Sequence, residues 1–315
     1  MNTDVIAETE YVRGTSLWRD AWRRLLKNKL AVFGLIVVIL ITLASLLGPA
    51  VIKRTMGFTP DFIPTHDTRL IGSFPPFTGP DGEFSWTHPM GTDNAGRDQL
   101  ARVLQGGQIS LFVGIISTLV SLLIGVSYGA IAGYVGGRLD NVMMRIVDVL
   151  YSLPYVIVVI VLLSMFRSQT PRGQLVLLFI ALGSVSWLTM ARIVRGQVLS
   201  LKNQEFVMAA RATGVSARRI IFRHLVPNTL GPVIVYATLT IPQIMLTEAF
   251  LSFLGFGVQA PLASWGSLAA DGIQNIAIFP WQLIFPGVTM ALTLFSLNFL
   301  GDGLRDALDP QMRTT

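Results

Sequence analysis

Of 315 residues, 52% are hydrophobic and only 13% charged, with a mean hydropathy of +0.59. An ordinary soluble domain carries about a quarter charged residues, so this composition excludes one and indicates an all-α polytopic membrane protein. The formal net charge of +6 lies beside apolar runs, where it speaks for topology and not for nucleic acid, and the lack of cysteine excludes disulfides, thiolate metal sites and thiol nucleophiles.

Residues 1 to 15 are polar. From Ser16, a fair N-cap, the spacing predicts an amphipathic helix with Trp18, Trp22, Leu25 and Leu26 on one face. Arg19, Arg23, Arg24, Lys27 and Lys29 surround them, the pattern of an interfacial helix against anionic membrane lipid. The first span is predicted over 30–52, and no cleavage-site pattern accompanies it, so it is expected to stay in the mature protein. Residues 53–107 hold Pro60, Pro64, Pro75, Pro76, Pro80 and Pro89 with balanced charge, and are expected to form an external loop region. Near its end, Thr92 or Asp93 is expected to cap a short helix carrying Leu100, Val103 and Leu104.

A second span, 109–134, carries Gly125, Gly129 and Gly133 at intervals of four, continuing to Gly137. Such a stripe serves close helix packing, either against another subunit or within one chain. The third span, 142–166, contains Pro154 and should kink there. The fourth, 173–190, returns to Arg192 and Arg195. A polar island follows at 204–228, with the signals of two short helices. The first covers about 203–213, Gly214 is a left-handed corner, and Ser216 caps a second helix with Ile220, Ile221 and Leu225 on its apolar side until Pro227 stops it. The fifth span, 229–256, holds Pro242 and Glu248, and the sixth, 281–300, holds Asn298 before a tail at 301–315.

Six Lys or Arg lie between Tyr11 and Lys29 and seven between Arg192 and His224, whereas the longer stretch 53–107 has five, offset by six acids. The bias places both termini and the polar island in the cytoplasm. The chain thus divides into an N-terminal segment 1–29, a first span 30–52, an external region 53–107, a five-helix core 108–300 with a cytoplasmic loop at 200–228, and the tail. Glu248 and Asn298 are candidate polar residues of a pore, and an intramembrane carboxylate also fits an ion-driven carrier. With His66, His88 and His224 as the three histidines, no H-E-x-x-H and no phosphate-binding G-x-x-x-x-G-K-[ST], the sequence points away from an enzyme.

The order Ala209-Ala210, Gly214, a hydrophobic-basic helix and Val226-Pro227 resembles the EAA loop of bacterial ABC importer permeases. One departure is Met208, where that family often has Glu. Further likeness lies in 88–98, in MARIVRGQ at 190–197, in LSFLGFGVQAPLASWGSL at 251–268 and in GDGLRDALDP at 301–310. Together these are similar to the C-type permeases of the peptide and nickel branch, and most of all to oligopeptide permeases. The resemblance implies a type I importer fold of six spans in the bacterial inner membrane. Its implied partners are a second permease, an external peptide-binding protein and two cytoplasmic ATPases that hold ATP and Mg, with no cofactor on this chain. It makes Glu205, Met208, Ala209, Ala210, Arg211, Gly214, Arg218 and Pro227 the surface that meets an ATPase. Cargo is expected to be oligopeptides, with dipeptides, nickel chelate, glutathione or opines as alternatives. A cysteine placed at Thr78 in this cysteine-free chain should react with membrane-impermeant reagents from outside; labelling from the cytoplasmic side alone would invert the topology.

Overall fold

The structure, a computed structural model, describes residues 17–57, 59–64, 72–79, 81–166 and 168–308. Ser16, the side chain of Trp18 and the tail beyond 308 lie outside that set. Among the described residues the regular structure is helical apart from two isolated bridges, Thr78–Phe84 and Thr92–Asp98. Long apolar runs fold this way because hydrocarbon offers no partner to a free backbone N–H or C=O. Among the described residues five single helices are long and apolar enough to cross a membrane, and a bent pair brings the number to six when it is counted as one span.

Helix α1 (Leu17–Lys27) meets α2 (Lys29–Met56) at Asn28, whose side chain accepts from the Leu30 and Ala31 N–H groups at 3.1 and 3.2 Å. The expected amphipathic face of α1 is only partly directed outward. Trp22 and Leu26 are exposed, but Ala21 and Leu25 are buried with Ala31 and Ala307 against Leu300 and Leu304. The helix is therefore fastened to the end of the last span.

Helix α3 (Gln99–Val135) fuses the expected short helix to the second span. Its cap is Asp98, whose carboxylate accepts from the Ala101 N–H at 2.7 Å; neither Thr92 nor Asp93 is the cap. Gly136 ends it with φ 68°, and Gly137 opens α4 (Gly137–Tyr151) instead of extending the glycine stripe. Between α4 and α5 (Tyr155–Met165) the axis turns by 83°, so the expected kink is a full break. Pro154 caps α5, where its missing N–H costs no helical bond, and it disfavours helix at Leu153. Helix α6 (Pro171–Leu201) outruns its expected end because Arg192 and Arg195 find partners beside the helix. Arg195 grips Asp140 of α4 in a bidentate pair at 2.6 and 2.7 Å, and Arg192 reaches Asp148 at 2.8 Å.

After α7 (Glu205–Ala212) and Gly214, the chain re-enters helix at α8 (Ala217–Arg219), widens into a π-helical turn (Ile220–Leu225), and continues through α9 (Val226–Asn228) into α10 (Leu230–Phe253). Pro227 does not stop this run. It sits in the first turn of α9, and the widened turn before it, in which the Val226 N–H bonds the Ile221 carbonyl, relieves the crowding a proline ring imposes on the preceding turn. A helix the sequence did not suggest, α11 (Trp265–Gln274), precedes α12 (Trp281–Leu308). The latter absorbs GDGLRDAL, expected as tail, because Gly301, Gly303 and Ala307 are buried against neighbouring helices.

Contacts order the helix ends. Gly303 lies against Ala31, Gly48 against Leu104, and Gly133 against Val198. The start of α2 and the ends of α3, α6 and α12 therefore share one end of the bundle with residues 202–228, and the described residues between 72 and 98 sit at the other. There Thr78 is only partly exposed, so Asp81, which is exposed, is the more reactive place for a labelling probe.

The glycine stripe settles its own alternatives. Gly125 meets Met190 and the Trp187 carbonyl, Gly129 the Ala191 carbonyl, and Gly133 the Arg195 carbonyl, so the stripe seats α3 on α6 within this chain. A side chain at Gly129 would strike backbone that cannot swing aside. Gly129→Leu should destabilise the protein by about 1–3 kcal/mol or more, as overpacking does. It should be read as a lower thermal midpoint in detergent and a lower membrane level, with Gly196→Ala, which meets nothing within 4 Å, as the unaffected control.

Candidate functional site

The polar island is built from its buried side upward. Val207, Ala210, Ile220, Ile221 and Leu225 form one apolar cluster with Ala130 of α3 and with Met190, Val194 and Val198 of α6. Gly214 adopts φ 75°, the left-handed region that glycine enters without strain, and a side chain there would meet nothing within 4 Å. Ser216 stands at the N-cap position with extended φ and ψ but gives no side-chain cap hydrogen bond. The Lys202 ammonium donates to the Gly133 carbonyl at 3.0 Å, and the Arg211 guanidinium lies 5.0 Å from the Tyr134 ring, both tying the island to the end of α3.

What remains outward is a mixed apolar and cationic surface. Glu205, Met208, Ala209, Arg211, Arg218 and Pro227 are exposed, together with Phe206, Phe222, Arg219 and Arg223, which the sequence reading did not select. Ala210 is the exception among the selected residues: it faces the core, because at helical spacing it falls on the same side as Val207. A surface carrying Met208 at 52%, Phe222 at 44% and Phe206 at 40% exposure among four arginines, on a rigid support, is suited to close contact with another protein.

The two residues proposed for a pore are separated. Asn298 is exposed on α12, with its amide donating to the Leu294 carbonyl at 2.9 Å. Glu248 is not pore-lining; it is 1% exposed in the junction of α3, α10 and α11. The Ser252 and Ser264 hydroxyls each donate to its Oε1 at 2.7 Å, and the Ser110 hydroxyl lies 3.5 Å from Oε2. Ser264 also accepts from the Ser267 N–H at 3.0 Å, capping α11, while the Trp265 backbone N–H donates to Ser110 at 3.1 Å and its indole to the Val103 carbonyl at 2.8 Å. The stretch 251–268 is thus a knot around one carboxyl.

The polar run 88–98 is a second clasp. Asp93 accepts from Arg97 at 2.7 Å and from the buried Arg102, and His88 Nδ1 lies 2.9 Å from Asp98. Gln282 of α12 donates to Ser73 and Asn94 at 2.9 and 3.2 Å. No cluster able to hold a metal occurs among the described residues. Because one carboxamide oxygen can accept from both Ser252 and Ser264, Glu248→Gln should fold, insert and transport near the wild-type level. Glu248→Ala, which strands buried hydroxyls, should lose about 1–3 kcal/mol of stability. Loss of transport in a well-folded Glu248→Gln protein would instead mark the carboxyl as an ion carrier.

Comparison with known proteins places these features in a lineage. The family described as binding-protein-dependent transport system inner membrane component matches residues 125–314, and the N-terminal transmembrane domain of oligopeptide transport permease C matches residues 16–67. The oligopeptide transport system permease protein OppC of Escherichia coli (strain K12) is 48% identical over 96% of this chain and 94% of that protein. That of Haemophilus influenzae is 46% identical over 97% and 92%, and the dipeptide transport system permease protein DppC of Bacillus subtilis (strain 168) is 43% identical over 99% and 92%. Among solved structures, the inward-facing MetNI methionine ABC transporter aligns with a TM-score of 0.52 at 21% identity, covering 66% of this chain and 96% of that one, a likeness of fold. The chain is an inner-membrane component of a binding-protein-dependent transport system, and belongs to that family of multi-pass permeases.

Proposed function

We propose that this chain is the permease subunit of an ATP-driven peptide importer, forming a translocation path with a second, homologous permease. In this reading two ATPases at the cytoplasmic face hold ATP and Mg, and an external binding protein delivers oligopeptides to the face formed by the described residues between 72 and 98. Both termini lie in the cytoplasm, as the count of Lys and Arg supports. The relatives named for oligopeptide transport support that cargo, and the dipeptide permease at 43% identity marks dipeptides as the alternative.

The observation that carries the reading is the exposed Met208, Phe206 and Phe222 with their arginines on a support welded to α3 and α6. Such a support passes a push on the surface into the bundle instead of dissipating it in a loose loop. The arginines steer an acidic partner, and the apolar side chains supply contact area.

Gly214 isolates this role, since its replacement meets no neighbour and acts through backbone strain alone. Gly214→Val should cost on the order of 1–3 kcal/mol at the corner and weaken ATPase docking by about tenfold for each 1.4 kcal/mol, with membrane insertion normal. Gly214→Asn, which tolerates the left-handed region, should be milder. Arg211→Glu should weaken docking in a salt-dependent manner, by reversing a steering charge and removing the contact with Tyr134. Copurification of the ATPases and uptake of labelled peptide measure both effects; wild-type values in Gly214→Val and Arg211→Glu would reduce the island to a solvated connector.

A further inference from the structure

A cavity of about 370 Å³ opens where the broken span meets α6 and α10, within the roughly 300–1,000 Å³ typical of small-ligand sites. On α10 its wall is a polar stripe, Tyr236, Thr240, Gln243 and Thr247, spaced at four, three and four residues and so on one helical face. Ser186 and Thr189 face it from α6, and Tyr155 stands at the start of α5 with its hydroxyl 3.3 Å from Ser186. None of its lining residues is charged. The nearest charges stand at the inner rim, where Arg192, 4.3 Å from the Tyr151 ring, is neutralised by Asp148 at 2.8 Å.

Gln243 is the telling residue. It lies near the middle of α10, about 15–20 Å from either end at 1.5 Å per residue, and its side chain is exposed. A carboxamide exposed to hydrocarbon at that depth is costly, so this face meets water or a polar ligand. No hydrogen bond occupies its amide, or the Tyr236 hydroxyl, among the described residues. The Thr240 and Thr247 hydroxyls donate to the Tyr236 and Gln243 carbonyls at 2.8 and 2.9 Å; Thr240 is buried and Thr247 also meets the Tyr155 side chain. The wall therefore offers one exposed carboxamide, both donor and acceptor, with the Tyr236 hydroxyl two turns away on the same face.

We infer that this stripe is a contact site for the main chain of an extended peptide in transit, with Gln243 pairing a backbone N–H and C=O of the cargo and the Tyr236 hydroxyl offering a further hydrogen bond. The inference rests on the proposed peptide import and deepens it. A peptide's side chains vary in charge and size, whereas its amides recur in every cargo, and an uncharged wall of hydrogen-bonding groups suits the part that recurs. A charged wall would hold peptides of one sign and reject the other.

The test uses the complete importer, with second permease, ATPases and binding protein, in proteoliposomes. A transported peptide carrying a photoactivatable diazirine is crosslinked during ATP turnover and the adducts are mapped by mass spectrometry. Adducts should fall on the segment 236–247 and require ATP. Gln243→Leu should lower uptake about tenfold while ATPase copurification stays at the wild-type level, and it should do so by the same factor for peptides of equal length bearing Lys or Glu side chains; Gln243→Asn should recover part of the loss. Wild-type uptake by Gln243→Leu, an effect confined to peptides of one charge, or adducts on the second permease with none on 236–247 would overturn the site while leaving peptide import intact. A wild-type importer that hydrolyses ATP yet takes up no peptide would remove the cargo reading itself, and this site with it.

Discussion

The fold depends on how closely α3 can approach its neighbours. In a bilayer the lipid tails are as apolar as the helix surfaces, so association rests on van der Waals contact at short range and on hydrogen bonds between helices. Glycines along α3 supply the first. Gly106 and Gly107 admit Trp265 of α11, Gly114 admits Ile241 and Met245 of α10, and Gly125, Gly129 and Gly133 admit the backbone of α6. A single helix with small residues on several sides can then touch most of the bundle at once. The second kind of contact is concentrated at Glu248, where one carboxyl gathers hydroxyls from α3, α10 and the start of α11. Removing one partner from such a buried set leaves the others stranded, which ties the three elements into one unit.

The Glu248 knot and the exposed surface at 205–228 lie at opposite ends of α10. The C-terminal end of α10 is anchored by Glu248 and Ser252. Its N-terminal end passes through Thr229, α9 and the π-helical turn into the exposed surface at 205–228 with no loop between them. A displacement of that surface is therefore delivered to α10 as a whole, including the polar stripe at mid-height. The π-helical turn is the place where the run can give, since its wider bonding is less favourable than that of the helices on either side.

The span made of α4 and α5 is the looser partner of the bundle. Helix α4 is held to α6 by the Arg195–Asp140 and Arg192–Asp148 pairs, and α5 by Val159 and Leu163 packing against Leu178 and Leu182. The 83° break between them borders the cavity.

Apolar run length, proline placement and the Lys and Arg bias were enough to read six spans, their order, and a helix–corner–helix turning at Gly214, because each of these depends on local chemistry. Backbone strain at one glycine and the length of one apolar run do not need the rest of the chain. What the sequence could not decide was which side of each element faces inward. Ala210 pointing into the core, the glycine stripe meeting α6 of the same chain, and Glu248 serving as a buried knot and not a pore residue all depend on residues 60 to 160 positions away or on the packing of whole helices. Helix α11 escaped notice because its mixed residues, WGSLAADGIQ, show too weak an apolar run, and its cap at Ser264 is legible only beside Glu248. The continuity through Pro227 likewise arose from a π-helical turn, a change of hydrogen-bond offset that no single residue announces. Local propensity determined the parts, and steric fit between distant small residues decided how they were assembled.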